Sequence, residues 1–236
     1  MADLGTMLWK EVAELIGNRR FLRIFALAVL IMGLVPSLES RHAAAGANPL
    51  LTLLGLFYAL FAGVIVVAQS APELVLHERS GRTLEYLLAT RLSDSAIFAG
   101  KVLVASVLGY TSTLLTAAVQ LLATNLQHHG AWTWSYLALP QGRLLILGAS
   151  AALCVYLATV GTFVALRVGD QRAAYMVTML SLAVLAAPLL LNLVHLHFTM
   201  SWLERAVALL GGLAIVLVAL GVRLFKRELL VLSLQD

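Results

Sequence analysis

Charged side chains are scarce in this sequence. Asp, Glu, Lys and Arg make up 12% of its 236 residues, whereas soluble domains carry about 25%. Hydrophobic residues make up 61%, and the mean hydropathy is +0.93. A chain this apolar is typical of the lipid bilayer. The composition therefore argues against an ordinary soluble protein and predicts a single transmembrane domain over residues 1–236.

Cysteine and nucleotide-binding motifs are also scarce or missing. The one cysteine, Cys154, lies in a hydrophobic run, so it has no partner for an internal disulfide and belongs to no thiolate cluster for zinc. We expect it to be a small buried hydrophobe. The sequence contains no Gly-x-x-x-x-Gly-Lys-Ser/Thr segment, so it has no phosphate loop of its own. We predict neither a catalytic site nor a resident cofactor in this chain.

Acidic residues are missing from the interior of the apolar runs. Glu73, Asp94 and Asp170 lie only at their edges. A proton-coupled carrier usually needs a carboxylate or a histidine within the membrane. A secondary carrier is therefore disfavoured, although it stays open as an alternative, as does a membrane enzyme or assembly factor.

Six apolar runs of about 20 residues each remain, a length that matches the hydrocarbon core of a bilayer. Each run must be helical, because a helix satisfies its own backbone hydrogen bonds in lipid. The predicted fold is therefore an all-α membrane protein with six transmembrane helices. The predicted spans are residues 22–38, 50–71, 96–124, 144–166, 173–193 and 206–225.

A further helix is predicted ahead of the first span, over residues 4–18. One face of it is apolar, and the other is mostly polar. The apolar face carries Leu4, Leu8, Val12, Leu15 and Ile16, and the other carries Lys10, Glu11, Glu14 and Asn18. This pattern is typical of a helix that lies in the headgroup plane, with Trp9 as an anchor.

The basic residues divide unevenly between the two sides of the predicted topology. If the N-terminus is cytoplasmic, 13 of the 16 Lys and Arg residues are inside and 3 are outside. The inside set is Lys10, Arg19, Arg20, Arg23, Arg79, Arg82, Arg91, Lys101, Arg167, Arg172, Arg223, Lys226 and Arg227; the outside set is Arg41, Arg143 and Arg205. This bias predicts a cytoplasmic membrane protein with both termini inside. The net charge of +4 then reflects anionic lipid as the partner and needs no nucleic acid.

The longest polar interruption in the first half of the chain runs from Glu73 to Lys101. Within it, four leucines at helical spacing form one apolar stripe, and charged residues occupy the other faces. The stripe is Leu84, Leu87, Leu88 and Leu92, and the charges are Arg82, Glu85 and Arg91. The pattern indicates a short amphipathic helix at the membrane surface. It fits either a docking element or an ordinary solvated loop between two spans.

The residues of this loop resemble the first cytoplasmic loop of ABC-2 type transporter permeases. The match consists of Glu78-Arg79, then Thr83-Leu84-Glu85, then Leu87-Leu88, and Gly100-Lys101 at the next span. Two departures are visible. Gly81 stands one place early, with Arg82 before Thr83, and Arg91 stands where the family usually has proline.

The resemblance implies a permease subunit of an ABC transporter, usually an exporter. It implies six transmembrane helices, an N-terminal elbow helix and a coupling helix between spans 2 and 3. It also implies a homodimer, or a pair with a related permease, bound to two ATPase subunits that hold ATP and Mg²⁺. By the same resemblance, the residues that contact the ATPase would be Glu78, Arg79, Arg82, Leu84, Glu85, Leu87 and Leu88.

The polar residues inside the spans are mild. Gln69, Thr113 and Gln120 are candidates for a translocation path, but helix packing through small and hydroxyl residues is the alternative. Hydroxyl residues such as Thr159, Thr162 and Thr178 fit the packing alternative better. Close helix packing is also the expectation for the glycines at positions 161, 211, 212 and 221.

Five of the six histidines are external on this topology. His195 and His197, with Met200 nearby, have the spacing and ligand types of a soft-metal or haem site. A haem-exporter-like permease of cytochrome maturation is therefore an alternative within the same class. We favour ordinary loop residues here, because no cysteine or carboxylate cluster accompanies them, and we predict no metal site.

Overall fold

The structure is a computed structural model, and it describes residues 2–40, 49–80, 93–127, 137, 139–194 and 200–224. These residues are helical throughout apart from short turns, with no strand among them. The helices are α1 (Ala2–Gly17), α2 (Arg19–Ser40), α3 (Pro49–Ser80), α4 (Asp94–Gln127), α5 (Pro140–Arg143), α6 (Ser150–Arg167), α7 (Gln171–Val194) and α8 (Met200–Leu224). The all-α prediction is confirmed.

Four stretches of this part of the chain are long and apolar enough to cross a membrane. They are Gly55–His77, Asp94–Leu126, Pro140–Arg167 and Met200–Leu224. Phe21–Pro36 and Gln171–Leu185 are shorter apolar helices. A membrane protein with four candidate spans is thus supported, and the number of six spans stays a prediction.

The third of these spans contains a π-helical turn. α5 continues through the π-helical segment Leu144–Ala149 directly into α6. The Ser150 backbone N–H donates to the Leu145 carbonyl, five residues back, which is the spacing of a π-helix. Leu145, Ile146 and Ala149 of this turn are buried.

The helix α3 extends further than the sequence pattern predicts. Its predicted end was residue 71, before Pro72 and the charged residues that follow, but the helix continues to Ser80. Proline removes one backbone donor, yet membrane helices tolerate it when neighbours pack against the site. Pro72 is buried here. The segment 73–80 is therefore helix, where the sequence pattern indicates a polar loop, and the boundary of the membrane span itself stays a prediction.

α3 is the central helix of the described bundle. It packs against α2, α4 and α6, and 72% of its apolar stretch is buried, compared with 11% for α8. The main core lies where α3 meets α4 and α6, and it includes Val67, Phe98 and Leu157, each fully buried. The core thus surrounds α3, the helix that ends directly before residues 81–92.

Helices α3 and α4 approach closely through a pair of glycines. A Cβ atom built on Gly63 would lie 2.7 Å from the Gly109 carbonyl oxygen, and one built on Gly109 would lie 3.0 Å from the Gly63 carbonyl oxygen. In both cases the added Cβ atom would overlap with a backbone oxygen, so only separation of the two helices would relieve the overlap. This crossing needs glycine on both helices.

The four glycines predicted to be close-packing sites behave differently from one another. Gly161 lies against Ala71 and Pro72, and Gly221 lies against the rings of Phe98 and Phe163, so the prediction is confirmed for these two. Among the residues that the structure describes, a Cβ on Gly211 or Gly212 would meet nothing within 4 Å. The prediction is wrong for that pair, because their helix α8 lies at the edge of the described bundle.

Candidate functional site

A lysine side chain is buried where α1, α3 and α4 meet. Lys101 of α4 is 3% exposed, and its partner Glu11 of α1 is fully buried. The Lys101 Nζ atom lies 2.9 Å from Glu11 Oε1 and donates to the Leu74 carbonyl oxygen of α3 at 2.8 Å. These distances are typical of charge-assisted hydrogen bonds. We call this arrangement of Lys101, Glu11 and the Leu74 carbonyl the Lys101 clamp.

Helical spacing explains why this lysine is desolvated. Ile97, Phe98 and Ala105 lie one turn before and one turn after Lys101, and all three are buried. Lys101 therefore lies on the apolar stripe of α4. A buried ammonium group is costly unless it is paired. The carboxylate of α1 and the carbonyl of α3 supply that pairing.

Two more polar links join α1 to α3. The Glu14 Oε1 atom lies 3.1 Å from His77 Nε2, and the Asn18 side-chain amide donates to Glu73 Oε1 at 2.6 Å. Glu11 and Glu14 are three residues apart on α1, and Asn18 directly follows that helix, so the three links lie along one side of the N-terminal segment. Leu8, Val12 and Leu15 of α1 pack against the main core, so Glu11 faces the bundle together with apolar residues.

This arrangement corrects part of the prediction for the N-terminal helix. The helix exists, and Leu15 of its apolar face is buried at 3% exposure, while Trp9 is 77% exposed. Glu11, assigned to the polar face, is buried rather than solvated. Hydrophobic periodicity treats a carboxylate as a group that seeks water, and it has no access to a partner 90 residues away in sequence. A role for α1 as an elbow helix stays a prediction.

A cavity of about 330 Å³ opens beside these links. Its lining residues are Glu14, Leu15, Gly17, Asn18, Glu73, Leu74 and His77. Two carboxyl groups and one imidazole give it a character that suits water or a cation better than an anion. Among the residues that the structure describes, no group of three His, Cys, Asp or Glu side chains has an arrangement that would hold a metal ion.

The residues predicted to contact an ATPase lie next to the Lys101 clamp in sequence. Glu78 and Arg79 fall in the last turn of α3. Arg82, Leu84, Glu85, Leu87 and Leu88 lie outside the described residues, so the coupling helix stays a prediction. On the far side of the segment, the Ser93 hydroxyl accepts from the Ala96 backbone N–H at 3.3 Å. From the sequence, either Ser93 or Asp94 can cap the start of this helix with a side-chain oxygen, and Ser93 does so.

The candidates for a translocation path occupy two helices. Thr113 and Gln120 lie on one side of α4, and Gln69 is half-buried on α3. The Thr113 hydroxyl donates to the Gly109 carbonyl at 3.2 Å, and the Gln120 side-chain amide donates to the Met32 carbonyl of α2 at 3.0 Å. Thr113 and Gln120 thus both face packed helix contacts. A path through these residues stays a prediction.

Two further residues share this side of α4 and were not singled out as path candidates. Ser112, Thr116 and Gln120 recur every four residues, and all are at most 2% exposed. Within the described part of the chain, the Ser112 Oγ, Thr116 Oγ1 and Gln120 Oε1 atoms have no hydrogen-bond partner. The spacing of four residues between these polar side chains is the sequence signal that predicts their position on one side of α4.

The threonines assigned to packing make local hydrogen bonds. Thr159, Thr162 and Thr178 each donate to the carbonyl four residues earlier in their own helix. A hydroxyl bonded in this way satisfies itself within the helix. Their geometry therefore agrees with the packing interpretation. Cys154, expected to be a small buried hydrophobe, is 2% exposed and lies in the main core.

Comparison with known proteins assigns no family to this chain. No family model matches the sequence, and no curated protein matches it. The likeness to ABC-2 permeases therefore depends on the loop residues and the span pattern. His195 and His197, the residues that the haem-exporter alternative invokes, lie outside the described part of the chain.

Proposed function

We propose that this chain is the permease subunit of an ABC transporter of the ABC-2 type. Its role is to move a substrate across the cytoplasmic membrane, in the export direction, with ATP hydrolysis in a separate subunit. The observation that carries the proposal is the length and position of α3 and α4, which flank the segment 81–92.

Both helices are too long for a bilayer alone. α3 has 32 residues and α4 has 34, so at 1.5 Å per residue they are about 48 Å and 51 Å long. The hydrocarbon core is about 30 Å thick. Much of each helix therefore extends into the headgroup region or beyond it. Extensions at the ends next to residues 81–92 would hold that segment away from the lipid, where a cytoplasmic partner can reach it.

The distribution of basic residues also supports a cytoplasmic location for this segment. Arg79, Arg82, Arg91 and Lys101 fall within or beside the segment, and basic residues favour the cytoplasmic face. Arg167 and Arg172, which flank the turn between α6 and α7, belong to the same side and are exposed. The ATPase would bind from there.

The mechanism follows from the packing of α3. Binding and hydrolysis of ATP would close and open a pair of ATPase subunits and displace the segment 81–92. That displacement enters α3 and α4 at their ends. Because α3 packs against α2, α4 and α6, the motion reaches three other helices directly. In this mechanism ATP and Mg²⁺ belong to the partner, and a second permease copy or a related permease completes the transporter.

The leucine stripe supplies the attachment. Leu84, Leu87 and Leu88 would enter a groove on the ATPase, while Arg82 and Glu85 lie at its rim. Helix-in-groove binding depends on a few buried apolar side chains. Loss of one such leucine costs on the order of 2 kcal/mol of association free energy.

The test is co-purification of an ATPase with the tagged full-length chain from native membranes in mild detergent. We expect a protein with a phosphate loop to co-purify with the parent chain, and substantially less of it with Leu84→Ala. The matched control is Leu122→Ala, since Leu122 is an exposed leucine on α4 away from the segment. Absence of any such ATPase from the parent preparation would refute the proposal, and equal recovery with both variants would refute the role of the stripe.

A further inference from the structure

The Lys101 clamp joins the two helices that flank residues 81–92, the candidate coupling segment, in sequence. Leu74 belongs to the last two turns of α3, and Lys101 belongs to the first two turns of α4. The hydrogen bond from Lys101 Nζ to the Leu74 carbonyl therefore joins the two helices that flank residues 81–92. The same Nζ atom also binds Glu11, so α1 is attached at the same point.

We propose that Lys101 is a positioning residue for coupling, which makes the ends of α3, α4 and α1 move as one body. This inference depends on the proposed function. A displacement of the segment 81–92 can be taken up by separation of its two flanking helices, and then little motion reaches the bundle. With the clamp in place, the two flanking helices are displaced together and the motion is delivered to the core.

Burial explains why an ion pair suits this task. Replacing a buried ion pair with apolar residues is often neutral or stabilising, whereas removing only one partner leaves an uncompensated charge. Stability alone therefore does not explain why this position carries an ion pair. A short apolar replacement preserves packing but permits sliding, whereas hydrogen bonds from one ammonium group to two other helices fix their relative positions.

The main variant is Glu11→Leu with Lys101→Met, which removes both charges and keeps the apolar volume. We expect it to unfold at the parent temperature or higher and to bind the ATPase as the parent does. We also expect that the double variant no longer stimulates the vanadate-sensitive ATP turnover of the bound ATPase in liposomes. Lys101→Arg, which keeps the positive charge and offers several N–H donors, should retain this stimulation of ATP turnover. Arg205→Met is the control, because the Arg205 side chain is exposed and donates within its own helix α8, to the Ser201 carbonyl.

A second measurement needs no ATPase. Spin labels at His77 and Ser95, both exposed, report the distance between the ends of α3 and α4 in a Cys154→Ala background. The parent should give one narrow distance distribution in nanodiscs, and the double variant should lose it and give a broad one. A narrow distribution in the double variant, or parent-like stimulation, would overturn the inference. Absence of an ATPase from parent preparations would instead overturn the proposed function, and the distance measurement would still decide whether Lys101 holds the helices together.

Discussion

The crossing of α3 and α4 at Gly63 and Gly109 allows a stability prediction with an internal control. We compare Gly63→Ala with Gly212→Ala. Both replace a glycine inside a helix, so the gain in helix propensity of roughly 0.5–1 kcal/mol is common to the two. The two sites differ in their surroundings, because a Cβ on Gly63 would lie 2.7 Å from the Gly109 carbonyl oxygen, while one on Gly212 would meet no described residue within 4 Å.

The difference between the two variants therefore isolates the cost of overpacking. Forcing extra atoms into a packed core costs typically about 1–3 kcal/mol, and a backbone carbonyl cannot rotate away as a side chain can. We expect Gly212→Ala to be as stable as the parent or slightly more so. Gly63→Ala should be less stable than Gly212→Ala by about 1–3 kcal/mol.

Reversible unfolding in mixed detergent–SDS micelles, followed by intrinsic fluorescence, measures this difference. The four tryptophans supply the signal without a label. Gly109→Ala serves as a second test of the same crossing and should resemble Gly63→Ala. If Gly63→Ala and Gly212→Ala unfold at the same SDS fraction, α3 and α4 do not cross at Gly63 as described, and the argument for α3 as the central helix fails with it.

Three further predictions concern orientation, coupling and the buried amide. In a Cys154→Ala background, a single cysteine at Ser40 should react with an impermeant maleimide from outside intact cells and one at Ser80 should not; external labelling at Ser80 would reverse the orientation. Glu85→Ala should leave ATPase co-purification unchanged and lower transport-linked ATP turnover in liposomes, since a lone carboxylate at a groove rim sets register more than affinity; parent turnover would remove Glu85 from the coupling contacts. Gln120→Leu should change the free energy of unfolding by less than about 1 kcal/mol, because it loses one hydrogen bond but also removes a buried oxygen without a partner. A larger loss, measured by the same SDS titration, would show that the Gln120 amide contributes more than this.

Local information in the sequence accounts for what was predicted correctly. The length of the apolar runs and the uneven distribution of basic residues predict helices in a membrane, because a spanning segment in lipid must satisfy its own backbone hydrogen bonds. Ser93 was recognisable as a cap because its partner, Ala96, is three residues away. These features depend on a few neighbouring residues and on the solvent, so no knowledge of tertiary contacts is needed.

The errors arise where contacts distant in sequence decide. The continuation of α3 past Pro72 depends on packing against Gly161 of α6, which no local pattern contains. The burial of Glu11 depends on its pairing with Lys101, which is 90 residues away in sequence. The exposed surroundings of Gly212 depend on the position of α8 at the edge of the described bundle. In each case the tertiary arrangement decides the outcome, and the local sequence does not contain that arrangement.

The π-helical turn at Leu144–Ala149 has a consequence for how this chain can change in length. A π-turn accommodates one residue more than the corresponding α-turn, so deletion of one residue there restores ordinary α-helical register. The same deletion within α6 would rotate every preceding side chain by about 100° relative to the following ones, and buried positions such as Leu157 would lose their partners. Relatives of this protein that differ by one residue in the span that contains this turn should therefore carry the insertion or deletion between residues 144 and 149.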